Sequence, residues 1–156
     1  MNREIRLLTQ LSFNKLKEKN IEDVLDLERA SFENPWTYKS FLGEISQSIS
    51  NNYIAKLNLN PINKVIAYVS FRVVFSEMEL LKIAVDKNYR NNGVGKYLLK
   101  KSIIIAKNKG ADSSYLEVGE NNGSALNFYL KNGYECYSKR ARYYKNENAL
   151  LLKKEL

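Results

Sequence analysis

The sequence predicts an α+β fold, in which a mixed, mostly antiparallel sheet holds one local pair of parallel strands and is flanked by helices. Three strand-like runs follow one another closely in the first half, which is typical of an antiparallel meander. A long helical segment then connects the third run to a further strand, and such a crossover gives a parallel pair. Because no repeat, proline-rich linker or low-complexity block interrupts this order, we expect a single domain over residues 1–156.

The first elements are a strand and a helix. Residues 11–16 are interpreted as a first strand, while residues 1–10 are ambiguous. Asn20 is in position to cap a helix, and that helix is expected to end near Pro35, since proline disfavours helix at the residue before it. The apolar residues at helical spacing are Ile21, Val24, Leu25 and Leu27.

A second helix and the meander come next. Thr37 is expected to cap this helix, which carries Phe41, Leu42 and Ile45. The three strands of the meander are predicted over 53–57, 65–75 and 78–85.

The second half alternates helices and strands. A long helix is predicted over 93–108 and a buried strand over 114–118. A shorter helix over 123–132 follows, and two terminal strands are expected over 134–141 and 150–154.

Length and composition fit a soluble domain with its own core. The chain has 156 residues, of which 44% are hydrophobic and 27% are charged. No apolar run approaches the roughly 20 residues that a membrane-spanning helix needs. The start, Met1-Asn2-Arg3-Glu4, precedes no apolar segment of signal-peptide length. We therefore expect a cytoplasmic protein with no membrane partner.

Charge and residue usage narrow the possible chemistry. A net charge of +8 can favour nucleic acid, an acidic cofactor or an acidic partner, but the lysines are spread along the chain, which disfavours nucleic acid. The single cysteine, Cys136, excludes a disulfide within the chain and is interpreted as a small apolar side chain in a late strand. The chain has no histidine, so we expect no metal site, and acid–base chemistry must come from Glu, Asp, Tyr, Lys or water.

A glycine-containing loop, Arg90-Asn91-Asn92-Gly93-Val94-Gly95-Lys96, precedes the long helix. Its glycines let the backbone approach a phosphate, and the N–H groups at a helix start attract an anion. Arg90 and Lys96 add positive charge. Taken alone, the loop is equally consistent with a tight strand-to-helix turn, and it lacks both the Gly-Lys-Ser/Thr ending of a Walker loop and the third glycine of the dinucleotide fingerprint.

The wider segment is more specific. The run Ile83-Ala84-Val85-Asp86-Lys87-Asn88-Tyr89-Arg90-Asn91-Asn92-Gly93-Val94-Gly95 resembles the acetyl-CoA signature of the GCN-five-related N-acetyltransferase (GNAT) superfamily, whose core is Arg or Gln, two residues, Gly, one residue, and Gly or Ala. The resemblance continues through Leu116-Glu117-Val118, Asn122 and residues 127–134. It implies a GNAT fold, with the parallel strand pair at the acetyl-CoA site.

Two further segments narrow the resemblance within the superfamily. The Pro35-Trp36 turn and the Arg142-Tyr143-Tyr144 segment are similar to bacterial enzymes that acetylate the N-terminal amine of a small-subunit ribosomal protein. The chain departs from those enzymes at Asn91 and Asn92, where Arg or Gln is frequent. It departs again at 146–149, where Asn-Glu-Asn-Ala replaces Gly-Glu-Asp-Ala.

The resemblance implies roles for individual residues. Glu117 would be the general base, acting through water, and Tyr129 would donate a proton to the leaving thiolate. The Val85 N–H would face the thioester oxygen. Trp36, Tyr143 and Tyr144 would bind the acceptor. The residues expected to bind acetyl-CoA are Ile83, Ala84, Val85, Arg90, Asn91, Asn92, Gly93, Val94, Gly95, Lys96 and Asn122.

The residues by themselves leave alternatives open. Alternation along an apolar strand also allows Glu117 to face water on the far side of the sheet, and Tyr129 fits a core helix face. Asn122 could be a helix cap. Tyr143 and Tyr144 are adjacent in a strand, so at most one of them faces the core there.

We expect an acetyl-CoA-dependent enzyme that acetylates the N-terminal amine of a protein, specifically a ribosomal protein. One alternative is the acetylation of a small amine, such as a polyamine or aminoglycoside. Another is a non-catalytic CoA-binding domain, which would need neither Glu117 nor Tyr129.

Overall fold

The computed structural model describes residues 3–144 and 147–156, and within them it shows five α-helices and seven strands. The helices are α1 (Arg3–Thr9), α2 (Ile21–Ser31), α3 (Tyr38–Ile45), α4 (Val94–Asn108) and α5 (Gly123–Lys131). The strands are β1 (Leu11–Lys15), β2 (Ser50–Leu59), β3 (Ile62–Val74), β4 (Glu77–Val85), β5 (Ser113–Gly119), β6 (Glu135–Tyr144) and β7 (Glu147–Glu155). The predicted α+β class is confirmed.

The strands form one sheet in the order β1-β2-β3-β4-β5-β7-β6. Every neighbouring pair is antiparallel except β4 and β5, which are parallel as predicted. Between β3 and β4, Ser70 pairs with Lys82 and Phe71 pairs with Leu80, so Leu81 is an extra residue that forms a bulge in β4. The bulge bends β4 close to where its pairing with β5 stops.

Helices cover both faces of the sheet and enclose a core on each side. α4 and α5 pack on one face, where the buried residues include Val69, Phe71, Leu98, Leu99, Leu116, Val118 and Tyr129. α2 and α3 pack on the other, where the buried residues include Ile21, Val24, Leu25, Phe41, Tyr68 and Ala84. We call these the α4–α5 face and the α2–α3 face.

Two features differ from expectation. Residues 3–9, which showed no clear pattern, form α1, and Leu7 and Leu8 of this helix pack against the core. Cys136 is exposed rather than buried, because β6 is an edge strand of the sheet and lacks a covering neighbour there. No helix among the described residues is long and apolar enough to cross a membrane.

Candidate active site

The site forms where β4 and β5 stop pairing. The last paired residues are Glu79 and Tyr115. Beyond them, within the described ranges, β4 pairs only with β3 and β5 only with β7. A cavity of about 260 Å³ lies at the start of this opening. Its walls are Glu79, Leu80, Leu81, Tyr115, Leu116, Glu117, Tyr137 and Leu151. A ligand can therefore enter the sheet between the two strands.

Glu117 points away from the α4–α5 face. Leu116 and Val118 on either side of it are buried in that face, so alternation turns the carboxylate to the α2–α3 face and into the cavity. Its side chain is 30% exposed, and Oε1 lies 3.2 Å from Nη1 of Arg140. The apolar strand therefore does not bury this charge, and a water molecule or an amine has access to it.

Tyr129 lies on the opposite face of the sheet. Its side chain is buried in the α4–α5 face, with ring centroids 5.2 Å from Phe128 and 5.7 Å from Tyr134. Burial, together with the nearby Tyr134, raises the pKa of the Tyr129 hydroxyl, so it keeps its proton at neutral and moderately alkaline pH.

The Tyr129 hydroxyl differs from that of an ordinary core tyrosine. It makes no hydrogen bond with the described residues, whereas the hydroxyl of Tyr134 is 2.7 Å from Ser114 Oγ. No side-chain oxygen or nitrogen of the described residues is both fully enclosed and without a partner, so the Tyr129 oxygen keeps at least a narrow contact with solvent. A proton donor requires this combination of a retained proton and an open hydroxyl.

The end of β4 turns a backbone donor toward the opening. The Asp86 N–H donates to the Ile66 carbonyl of β3 at 2.8 Å. In an antiparallel ladder successive residues point to opposite sides, so the preceding Val85 N–H points away from β3. Val85 would thus offer a donor to an oxyanion between the strands.

The glycine loop closes onto the end of the opening. Gly93 caps α4 with φ of 75°, in the left-handed region that favours glycine. A Cβ on Gly95 would lie 3.3 Å from the Phe128 ring and 3.8 Å from Val85, so this turn fits closely against α5 and β4. The Glu4 carboxylate of α1 lies against Gly93, where a Cβ would be.

The polar side chains of the loop mostly hold its shape. Arg90 Nε donates to the Val85 carbonyl at 2.9 Å, and its Nη2 lies 3.3 Å from Ser31 Oγ. Asn92 Nδ2 donates to the Arg90 carbonyl at 2.7 Å, and Asn91 has a positive φ of 58°. Lys96 is exposed on the first turn of α4. The loop would therefore bind an anion mainly through backbone N–H groups.

The remaining residues predicted to bind acetyl-CoA contribute in different ways. Val94 and Ala84 are buried in the two cores, so only their backbone is available to a ligand. Ile83 and Val85 are partly buried against the α4–α5 face. Asn122 caps α5, with Oδ1 accepting from the Ala125 N–H at 3.2 Å, as the alternative interpretation held.

The predicted acceptor residues are only partly described. Trp36 is half-buried on the α2–α3 face, where its ring packs edge-on against Phe41 at a centroid distance of 5.3 Å. The backbone N–H of Trp36 donates to Glu28 Oε1 at 2.7 Å. The backbone of Tyr143 and Tyr144 belongs to the end of β6. The side chains of these two tyrosines lie outside the described part of the structure.

Sequence reasoning missed two residues beside Glu117. Arg140 pairs with its carboxylate, and Tyr137 lines the same cavity wall. Both come from β6, which reaches this position because β7 lies between β5 and β6 in the sheet. No local pattern in the chain indicates that strand order.

Comparisons with known proteins identify the family of the chain. A model of the acetyltransferase (GNAT) family matches residues 21–134. The chain is 30% identical over 138 residues to the ribosomal protein bS18-alanine N-acetyltransferase of Haemophilus influenzae, covering 85% of this chain and 90% of that protein. It is 26% identical over 144 residues to spermidine N(1)-acetyltransferase of Thermoplasma acidophilum, covering 80% and 88%.

A solved structure of a related enzyme has the same fold. The crystal structure of the ribosomal-protein-S18-alanine N-acetyltransferase from Escherichia coli superposes with a TM-score of 0.82 at 25% identity, covering 93% of each chain. These matches confirm the predicted resemblance to the bacterial ribosomal-protein acetyltransferases, the RimI-type enzymes, and the predicted fold. The chain is an N-acetyltransferase and belongs to the acetyltransferase (GNAT) family.

Proposed function

We propose that this chain transfers the acetyl group of acetyl-CoA to the N-terminal amine of a protein, with a ribosomal protein as the physiological acceptor. The observation that carries the proposal is the opening between β4 and β5, which has an accessible carboxylate on one face and a protonated, open tyrosine hydroxyl on the other. A domain that only binds CoA needs neither group.

The opening supplies each group that acetyl transfer needs. Glu117 accepts the proton of the acceptor ammonium through a water molecule, and the neutral amine attacks the thioester carbon. The Val85 N–H donates to the oxygen that becomes negative. The C–S bond then breaks as the Tyr129 hydroxyl protonates the leaving thiolate. The nitrogen loses its second proton to water, and the Tyr129 oxygen regains a proton from water. The products are an acetylated amine and free CoA.

The coenzyme fits the α4–α5 face. We place its pyrophosphate on the backbone N–H groups of residues 91–96, with Lys96 contributing charge. Gly95 is closed in by Phe128, so a larger residue there would push the loop out of position. The acceptor approaches from the α2–α3 face, where Glu117 is exposed.

Coenzyme binding can be tested with a pair of glycine variants. Gly93→Ala adds a methyl group beside the proposed phosphate site and strains a residue with φ of 75°. We expect acetyl-CoA to bind roughly tenfold more weakly or worse, which is about 1.4 kcal/mol. Isothermal titration calorimetry measures this.

The matched control is Gly110→Ala. Gly110 also has a positive φ, of 95°, but it lies after the other end of α4, and no atom of the described residues comes within 4 Å of the position that the added methyl group would take. This variant should lose roughly 1–2 kcal/mol of stability through backbone strain and keep its affinity for acetyl-CoA, whereas Gly93→Ala carries the same strain and must also displace the Glu4 side chain. Equal affinities for the two variants would show that the pyrophosphate binds elsewhere.

Basicity favours an N-terminal acceptor over lysine. An α-amine has a pKa near 8 and a lysine side chain one near 10.4, so roughly a quarter of the former and a thousandth of the latter is neutral at pH 7.5. The base proposed here is the Glu117 carboxylate acting through water, and such a weak base suits an amine that is already partly neutral. The names of the H. influenzae and E. coli relatives support the same acceptor.

A small polyamine is the second candidate, since one relative is named for spermidine. The net charge of +8 makes a polycation a less favourable partner than a peptide terminus.

We expect acetylation of a peptide with a free N-terminus and none when that terminus is blocked, even if the peptide contains lysines. Thiol release gives the rates, and mass spectrometry locates the acetyl group. Spermidine serves as the comparison acceptor. A modified lysine in the blocked peptide, or faster turnover of spermidine, would contradict the proposed acceptor while leaving acetyl transfer itself intact.

A further inference from the structure

We propose that Glu28 and Lys82 are positioning residues for the acceptor, which hold the segment between α2 and α3 in the shape that binds the peptide. We call residues 32–37 the acceptor loop. The inference rests on the proposed function, because it concerns the affinity of the same site for its peptide. It adds a network of charges on the acceptor side that the chemical steps do not use.

Glu28 is a fully buried carboxylate with three donors. Its Oε1 accepts from the Trp36 N–H and from Lys82 Nζ, both at 2.7 Å. Its Oε2 accepts from the Tyr68 hydroxyl. One carboxylate therefore connects α2, the acceptor loop, β3 and β4, and the Trp36 backbone is bonded directly to it.

Lys82 also contacts two aromatic side chains of the acceptor loop. Its Nζ lies 3.8 Å from the centroid of the Phe32 ring and 5.4 Å from that of Trp36, within the range of a cation–π interaction. Phe32 and Trp36 stand near the two ends of the acceptor loop. Since the Lys82 side chain is only 13% exposed, little water weakens these contacts.

The network lies beside the proposed reaction site. Lys82 follows Leu81, which lines the cavity, and it precedes the Ile83–Val85 segment assigned to the coenzyme. It points to the α2–α3 face together with Ala84, two residues later, and Glu117 points to the same side across the opening. The acceptor loop thus borders the face from which an amine would reach Glu117.

Stability alone is a poor reason for burying these charges. Removing an ion pair from water costs several kcal/mol per ion, and apolar side chains of similar size often serve stability equally well. The charges add a constraint on geometry, because a carboxylate with three donors fixes the orientation of each group bonded to it. A loop that must present a fixed binding surface benefits from this constraint.

A second ion pair on the same face provides a matched control. Arg72 Nε and Nη2 lie 2.8 Å and 2.6 Å from the two carboxylate oxygens of Glu44, and the Glu44 side chain is 6% exposed. This pair joins β3 to α3 but bonds none of the residues of the acceptor loop. Removing it should cost stability without disturbing Trp36.

The test compares Lys82→Met with Arg72→Met and with the conservative Lys82→Arg. For Lys82→Met we expect KM for the N-terminal peptide to rise about tenfold, with kcat and KM for acetyl-CoA within about twofold of the parent, because ground-state binding of the acceptor is lost. Lys82→Arg should recover most of the loss, and Arg72→Met should leave the peptide KM unchanged.

Trp36 gives a readout that does not depend on turnover, because it is the only tryptophan in the chain. With a tryptophan-free peptide and CoA present, its fluorescence should report peptide binding in the parent and in Arg72→Met. In Lys82→Met the emission should shift to longer wavelength and the peptide should bind more weakly. If Lys82→Met is poorly folded, Glu28→Gln with Lys82→Met removes both buried charges and is measured in the same way.

An unchanged peptide KM and unchanged Trp36 emission in folded Lys82→Met would overturn the inference. Equal changes in kcat, in the peptide KM and in the acetyl-CoA KM of Lys82→Met and Arg72→Met would also overturn it, because such changes indicate general destabilisation. If the parent enzyme acetylates peptides, either of these results contradicts the inference and leaves the proposed function intact. If the parent enzyme acetylates no peptide, the proposed function is wrong, and so is the inference.

Discussion

Replacing Glu117 with glutamine is expected to lower kcat/KM for an N-terminal peptide by about a hundredfold or more near pH 7, and by much less at pH 9. Glutamine keeps the shape of the side chain but cannot accept the proton of an ammonium group. As the pH rises past the acceptor's own pKa of about 8, the amine loses its proton without help, so the deficit should shrink. A pH–rate profile of both enzymes measures this.

Glu79→Gln is the control for the Glu117 variant. Glu79 lines the same cavity from β4, so its replacement makes an equal change in charge without removing the proposed base. We expect its effect on kcat/KM to be small and insensitive to pH. If the ratio of parent to Glu117→Gln rates were the same from pH 7 to pH 9, Glu117 would not be the base.

The Tyr129→Phe variant is expected to lose roughly tenfold to a thousandfold in kcat if protonation of the thiolate limits the rate. Acetyl-CoA binding and stability should change little, because the described residues make no hydrogen bond to this hydroxyl. Burial raises the pKa of Tyr129, so the hydroxyl stays protonated from pH 6 to pH 9 and the deficit should be constant over that range. This contrasts with the shrinking deficit of the glutamate variant.

Tyr134→Phe is the matched control for Tyr129→Phe. Tyr134 is a buried neighbour whose hydroxyl is bonded to Ser114 Oγ at 2.7 Å. Its loss should reduce stability by about 1 kcal/mol and leave kcat nearly unchanged. Stopped-flow measurement of thiol release, with thermal unfolding of each variant, separates the two effects. Normal turnover by the folded Tyr129→Phe variant would show that Tyr129 only packs in the core and is not the proton donor.

Local patterns predicted most of the fold. The apolar spacing that begins at Ile21 and the capping position of Thr37 indicated helices close to the observed ones, because each helix has a single buried stripe. The glycine loop and the strand around Glu117 were identified because each is a continuous segment that resembles the GNAT superfamily. α1 was missed, since a helix of seven residues with two core contacts leaves no periodic signal.

Contacts between distant segments could not be predicted in this way. The pairing of Arg140 with Glu117 depends on β6 lying beyond β7, and the Glu28–Lys82 pair depends on α2 crossing over β4. In the sequence, Glu28 is one of several acidic residues on an amphipathic helix, and only the packed structure distinguishes it from exposed ones. Charge pairing between remote elements follows from topology, which a single sequence specifies only weakly.

The opening between β4 and β5 also gives the sheet two internal edges, in addition to the outer edges at β1 and β6. Unpaired strand edges are templates for strands of other chains, and native proteins protect them with charged side chains. Here Lys82 stands on one internal edge and Glu117 on the other, each held by an ion pair. We expect the charges that we assign to positioning and to proton transfer also to disfavour the pairing of a foreign strand in the gap, which would let the sheet stay open to its ligands.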